Sequence, residues 1–323
     1  MKLRKCTGRP GALPEANMLT IFSTPKPFRG HIGITQRNAI RSWTLLHPDA
    51  EVILFGDEEG TADAVRELKI RHEPYVKRNE YGTKYLGSIF DRAQQLARYD
   101  LLCYVNCDII LMSDFCEALE SVRSSCSSFL MAGQRWDADI AEPLDFAQPD
   151  WELRARALAL ETNRQRPPQW IDYFAFNRGL YLKKLPPFVI GRPGWDNWLM
   201  WFARASGAVV VDASSVVAAV HQNHDYSYHA DGEKGVWEGE EAQKNYAFLD
   251  SGRCFHTLEN ATHRLTPRGL RSNYRHWYTL GRQLSRRTVN SLWFGLLDLT
   301  RPVRHRLGLR QEGPQVAQRA EKG

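Results

Sequence analysis

None of the six cysteines in this 323-residue chain belongs to a Cys-x-x-Cys pair. The sequence therefore carries neither a zinc ribbon nor a thioredoxin-type redox pair. Cys103 and Cys107 lie in an apolar, strand-like run and read as buried, reduced thiols. No apolar run approaches a membrane span: Leu292–Leu297 is as long as any, against roughly 18–20 residues needed to cross a bilayer. The opening MKLRKCTGRPGALP is basic and lacks an apolar h-region, so a cytoplasmic protein is expected. There is no solenoid-like repeat and no His-Glu-x-x-His helix. What remains, 43% hydrophobic and 25% charged, is the balance of an ordinary globular chain.

Charge is uneven. Residues 262–323 carry 13 Arg/Lys against 3 Asp/Glu, which leaves 30 against 34 for residues 1–261. A mildly acidic, aromatic-rich body excludes a uniform nucleic-acid-binding surface. Within the basic end, Leu292, Trp293, Leu296 and Leu299 share one face of a helix flanked by arginines. Two readings fit: a peripheral helix on an anionic membrane surface, or a helix packed on the body. Residues 311–323 have no apolar period and are expected to be disordered.

The first half alternates short apolar runs with helical stripes. Leu19–Phe22, Val52–Phe55, Lys69–His72 and Leu101–Val105 read as strands. Ile34–Leu46, Thr61–Leu68 and Leu86–Tyr99 read as helices. Continuously apolar strands between helices imply an α/β fold, a mostly parallel sheet covered on both faces. In the second half, Ser128–Ala132, Tyr173–Leu182 and Ala208–Val211 read as strands, and Gly191–Phe202 as a turn into a helix. Ligands of such sheets bind beyond the carboxyl ends of the strands. Here those ends are Ser23-Thr24, Gly56-Asp57 and Asn106-Cys107-Asp108, all polar after apolar strands.

Three segments carry chemistry. An acid directly after a buried strand, as Asp108 is, costs several kcal/mol unless something balances it. A divalent cation such as Mn²⁺ or Mg²⁺ would do so; a turn cap is the plain alternative. Three histidines, His221, His224 and His229, lie within nine residues after an apolar run. Imidazoles added to a carboxylate favour Mn²⁺ over Mg²⁺, with zinc on the three histidines as the competitor. In Gly194-Trp195-Asp196-Asn197-Trp198, the acid sits among aromatics at a helix start. It is either a cap or a general base tuned by its surroundings.

Taken together these segments resemble the nucleotide-sugar-dependent glycosyltransferases of the GT-A fold, over roughly residues 17–230. Ile21-Phe22-Ser23-Thr24-Pro25 is similar to the first nucleotide-binding strand and loop, and Phe55-Gly56-Asp57 to the second. Asn106-Cys107-Asp108 resembles the family's DxD motif, with an amide in its first place. The resemblance implies that Asp108 and His221 hold Mn²⁺ or Mg²⁺ against a nucleotide-sugar diphosphate. Thr24, Asp57, Arg92, Asn106 and Asp108 would contact the donor. Asp196 would serve as the base of an inverting transfer to a hydroxyl of a glycan, lipid-linked or protein acceptor. A UDP-sugar is the favoured donor.

Acceptor contacts are expected from Trp136, Tyr173, Trp195 and Asn197, among a dense aromatic set that also holds Trp170, Phe174 and Trp198. Two or three of those aromatics would be core. The expected organisation is a catalytic domain over 17–260, with a donor half 17–135 and an acceptor half 136–260. A basic helical extension over 261–310 and the tail 311–323 follow. A sugar-nucleotide pyrophosphorylase would share the sheet, but it needs a glycine-rich loop where this chain has Pro25 and Pro27. A non-catalytic carbohydrate- or membrane-binding module is the other alternative.

Overall fold

The structure, a computed structural model, describes residues 19–162, 164–224 and 232–274. The chain order is β1 (Leu19–Ser23), α1 (Gly30–Thr44), β2 (Glu51–Phe55), α2 (Thr61–Leu68), β3 (Arg71–Glu73), α3 (Leu86–Leu96), β4 (Leu101–Val105), β5 (Ile109–Ile110), α4 (Ser113–Ser125) and β6 (Phe129–Ala132). It continues with β7 (Arg135–Ala138), α5 (Trp151–Thr162), β8 (Tyr173–Asn177), α6 (Trp195–Ala205), β9 (Val209–Asp212), β10 (Ala219–Gln222), α7 (Gly232–Glu238), α8 (Glu240–Ala247), β11 (His263–Thr266) and β12 (Gly269–Ser272).

Nine strands form one sheet in the order β12-β11-β9-β6-β8-β4-β1-β2-β3. Pairing is parallel except where β8 runs against β4 and β6, and β12 against β11. This is the mostly parallel α/β architecture expected. Strand residues alternate between two cores. Phe22, Leu102 and Tyr104 pack with Phe90 of α3 and Leu199 of α6. Ile21, Cys103 and Val105 pack with Ile40 of α1 and Phe115 of α4. Helices on both faces explain why β1 and β4 read as unbroken apolar runs.

A second sheet orders β5-β10-β7. Its register sets His221 opposite Ile109 on one side and Asp137 on the other. A strand late in the chain is thus fastened to the segment just after β4. Sequence periodicity did not reveal this sheet, because two- and four-residue strands are too short to show a period.

Several boundaries differ from expectation, each for a local reason. Helix α3 stops at Leu96 rather than Tyr99. The Arg178 guanidinium takes the carbonyls of Gln94, Ala97 and Tyr99 at 2.6, 2.6 and 2.8 Å. The same arginine begins the turn that ends β8 at Asn177 instead of Leu182. Lys69 closes α2 in the left-handed region (φ 55), so β3 starts at Arg71. Helix α4 was not anticipated.

Residues 263–272, expected within a helical extension, are strands: β11 pairs with β9 and β12 with β11. The compact unit holding the sheet reaches Tyr274. The amphipathic stretch around Leu292, the tail 311–323, the first residues of the catalytic domain and His229 lie outside the described residues. Among those described, no helix is long and apolar enough to cross a membrane.

Cys103 and Cys107 are buried free thiols. Burial pushes the Cys107 thiol up to about 12. Tyr173, expected at the acceptor site, is fully buried in the core with its ring edge-on to Phe115. Its hydroxyl is buried and has no hydrogen-bond partner among the described residues. Removing an unsatisfied buried hydroxyl relieves a desolvation cost. Tyr173→Phe should therefore raise stability in urea by about 1 kcal/mol, whereas a clear loss would show that the hydroxyl has a partner.

Candidate active site

The carboxyl ends of β1, β2 and β4 open into one cleft of about 810 Å³, and the α6 N-terminus and the second sheet line it as well. The strand ends are tied together under the cleft floor. Thr24 Oγ1 donates to the Phe55 carbonyl at 2.7 Å, and Ser23 Oγ to the Val105 carbonyl. Thr24 thus lines the cleft while its hydroxyl is committed to β2.

At the end of β4, Asp108 meets the strand that carries His221. Ligand atoms of Asp108, His221 and His224 lie within 4.8 Å of one another. Asp108 Oδ2 is 3.2 Å from His224 Nε2, and Asp108 Oδ1 is buried with no hydrogen-bond partner among the described residues. Burial opposes ionisation of Asp108, yet His224, His221 and Lys26 hold its carboxyl well below the usual range. Behind His221, Asp137 Oδ1 approaches Nδ1 at 3.3 Å. Burial again opposes its charge, but His221 and Arg135 hold Asp137 down to about 2.

An ionised carboxylate with an orphaned oxygen beside two imidazoles suits a divalent ion. The mixed donor set suits Mn²⁺ better than Mg²⁺. A carboxylate behind a ligating imidazole is the usual way of fixing its ring. Lys26 also reaches in, its Nζ 2.9 Å from His224 Nε2 and 3.7 Å from Asp108 Oδ2. Burial pulls this ammonium below its ordinary value, against the pull of Asp108.

Asn106 explains why an amide stands in the first place of the motif. Its Nδ2 donates to Asp172 Oδ1 at 2.6 Å, and its Oδ1 accepts from the Tyr104 hydroxyl at 3.1 Å. A carboxylate there would face Asp172 with like charge. Asp172 Oδ2 in turn holds Arg135 Nη1 at 2.8 Å, and Arg135 Nε binds Asp137 at 3.1 Å. Arg166 Nε also reaches Asp137, at 2.5 Å. Both guanidinium groups lie about 5 Å over the Trp170 ring (5.0 and 4.9 Å), and Trp170 packs against Trp237. This wall of alternating charges and indoles faces the cleft.

Asp196 is in the first turn of α6 and lines the same cleft. Burial first, then the negative Asp172, pushes its carboxyl up to about 7, against opposing backbone hydrogen bonds. Gly194 (φ 95) turns the chain into this helix, and a Cβ there would meet Leu249 at 3.0 Å.

Other expected residues fall elsewhere. Asp57 points outward and is held by Arg78 at 2.5 Å. It is Glu58 that enters the cleft, bonded to Lys84 at 2.7 Å and Arg78 at 3.0 Å, with Oε2 buried and unbonded among the described residues. Gly56 (φ 109) makes the turn that ends β2 ahead of the two acids. Arg92 lies outside the cleft, its guanidinium on Glu73 at 3.0 and 3.2 Å.

Trp136 packs on the small core of Ile110, Met112 and Val220. Trp195 shows the cleft an edge but is mostly core, against Tyr104 and Phe174. Asn197 is spent on the carbonyls of Gln169 and His256. Sequence reasoning missed Lys26, Glu58, Lys84, Arg135, Asp137 and Asp172 as cleft residues. His224 carried a signal, since it belongs to the histidine cluster. Among aromatics, Trp170 and Trp237 line the cleft, and Trp136 and Tyr173 do not.

No protein-family profile and no curated protein matches the sequence. Among solved structures the chain is similar to glucosyl-3-phosphoglycerate synthase from Mycobacterium tuberculosis in complex with Mg²⁺ and UDP. Identity is 17%, coverage is 73% of this chain and 79% of that one, and the TM-score is 0.42. It is also similar to the mannosyltransferase PcManGT from Pyrobaculum calidifontis in complex with GDP-Man and Mn²⁺, with 15% identity, coverage of 66% and 59%, and a TM-score of 0.41.

The raised carboxyl of Asp196 has a consequence for stability. It ionises near 3.8 when unfolded and near 7 when folded. Between those values the unfolded chain has released a proton that the folded chain retains, so stability falls as pH rises and levels off above about 7. Asp196→Asn removes this dependence. Urea unfolding at pH 5 and pH 8 should show the variant gaining on the parent by about 2–3 kcal/mol at the higher pH, and a constant difference would mean that Asp196 ionises normally.

Proposed function

We propose that this chain is a metal-dependent glycosyltransferase that moves a sugar from a nucleotide diphosphate to an acceptor hydroxyl. The observation that carries the reading is the convergence of Asp108, His221 and His224 in the cleft that also holds Asp196. In this reading Asp108, His221 and His224 hold Mn²⁺ or Mg²⁺. Bound there, the ion supplies positive charge that stabilises the departing nucleoside diphosphate.

The chain's own groups do the rest. Glu58 offers its unbonded Oε2 to a base N–H at the β2 end, in the place first expected of Asp57, with UDP favoured as the nucleotide. Asp196, with a carboxyl near 7, is part ionised at neutral pH and can take the proton of an attacking hydroxyl. Attack from the Asp196 side, opposite a leaving group held at the β4 end, would invert the anomeric carbon.

The acceptor lies along Trp170 and Trp237, whose ring faces suit the apolar face of a sugar while the hydroxyls meet polar neighbours. Each arginine on this wall already has a carboxylate partner. A neutral glycan therefore fits better than an anionic acceptor. The basic stretch after residue 274 would add contact with an anionic membrane surface.

Thermal unfolding with UDP, GDP, CDP and dTDP, each with and without Mn²⁺, tests the donor half of the reading. One nucleotide should raise the melting temperature, and more so with Mn²⁺. Asp108→Asn should lose the Mn²⁺-dependent part. Asp196→Asn should keep it yet lose about 10²–10⁴-fold in turnover of the matching nucleotide sugar. No shift with any nucleotide would defeat the reading.

A further inference from the structure

Lys26 is positioned with unusual care for a lysine. It lies between Pro25 and Pro27, whose rings fix their own backbone φ angles. Its backbone N–H donates to Gln36 Oε1 at 2.6 Å, and its carbonyl accepts from Gln36 Nε2 at 2.9 Å. One buried amide thus clamps both backbone groups of the residue. From this base the side chain crosses the cleft rim to His224 Nε2 (2.9 Å) and Asp108 Oδ2 (3.7 Å). Those belong to two of the three residues assigned above to the divalent ion.

An imidazole lone pair serves one electrophile at a time, and an ammonium beside a divalent ion is repelled by it. With the ion in place, the contacts of Lys26 to His224 and Asp108 are weakened, and a further anion nearby is favoured. The diphosphate of the donor is the anion the proposed reaction brings to this end of the cleft, and lysine is a common phosphate partner.

We infer that Lys26 is the resident cation of the cradle, neutralising Asp108 before the donor arrives and passing to the diphosphate when the divalent ion enters. The inference rests on the metal–nucleotide reading above. It makes ion and nucleotide mutually dependent. Ion alone must displace the lysine; with nucleotide present, the lysine has somewhere to go. The factor by which nucleotide tightens the ion must equal the factor by which the ion tightens nucleotide.

Calorimetric titration of Mn²⁺ into the full chain, alone and saturated with the nucleotide that stabilises it, tests this. The proteins are the parent, Lys26→Met and Lys26→Arg, each checked for folding by its melting temperature. The parent should bind Mn²⁺ weakly alone and roughly tenfold or more tightly with nucleotide. Lys26→Met should bind Mn²⁺ alone roughly tenfold tighter than the parent, with the coupling factor falling towards one. Lys26→Arg retains the charge and should stay near the parent. If folded Lys26→Met binds Mn²⁺ alone no better than the parent, the role of the lysine is wrong, while the coupling seen in the parent leaves the transferase reading standing. If the parent binds Mn²⁺ neither alone nor with nucleotide, that reading falls and the inference with it.

Discussion

The structure turns on a buried carboxylate at the end of an apolar strand. Strand β4 is covered on both faces, so whatever follows it emerges from the core into the cleft. Asp108 emerges there with one oxygen unbonded among the described residues. An uncompensated charge in that position would cost several kcal/mol. The surroundings answer this with positive or polarisable groups: Lys26 from the loop after β1, His221 from the small sheet, and His224 just beyond it. Parts of the chain far apart in sequence are thereby gathered around one carboxylate. The short β5–β10 pairing exists at the place where it delivers His221.

The second layer keeps this arrangement from collapsing into a plain salt bridge. Asp137 and Asp172 could each compete for the histidines or for an ion. Arg135 holds both, Arg166 adds to Asp137, and Asn106 takes the remaining oxygen of Asp172. Buried charges of this kind persist only when paired and hydrogen-bonded. Here the pairing also sets the character of the cleft wall around Trp170. Each of its arginines is paired with a carboxylate, and both guanidinium groups lie over Trp170. The amide at position 106 belongs to this network rather than to a weakened ion site.

The sheet was legible because its strands are buried on both faces. Leu101–Val105 can be read from hydrophobicity alone, and a polar triplet at its end is bound to face the crevice. Asp108, Asp196 and the histidine cluster were legible for the same reason: each interrupts an apolar context. Which neighbour of a turn faces inward was not. Asp57 and Glu58 are adjacent acids after the Gly56 turn, and only their tertiary partners show that Glu58 faces inward. Aromatics in the second half could not be sorted either. Trp136, Tyr173 and Trp170 differ in tertiary placement, not in local pattern. Lys26 and Arg135 look like ordinary surface cations until the fold supplies their partners.

Two aspartates in one cleft illustrate how environment divides labour between identical groups. Asp108 is surrounded by Lys26, His221 and His224, and its carboxyl is held down. Asp196 lines the cleft at the start of α6, where burial and another acid, Asp172, push its carboxyl up. The first is therefore always charged, which suits holding a cation. The second is poised to exchange a proton near neutral pH, which suits accepting one from a hydroxyl. Titratable groups pushed apart in this way mark acid–base roles. The separation depends on the saturated network between them. Were Arg135 to release Asp172, the added negative charge facing Asp196 would raise its carboxyl further and shift the pH at which it can act as a base upward. The residues that hold Arg135 in place thus bear on the charge of Asp196 as much as on the cleft wall around Trp170.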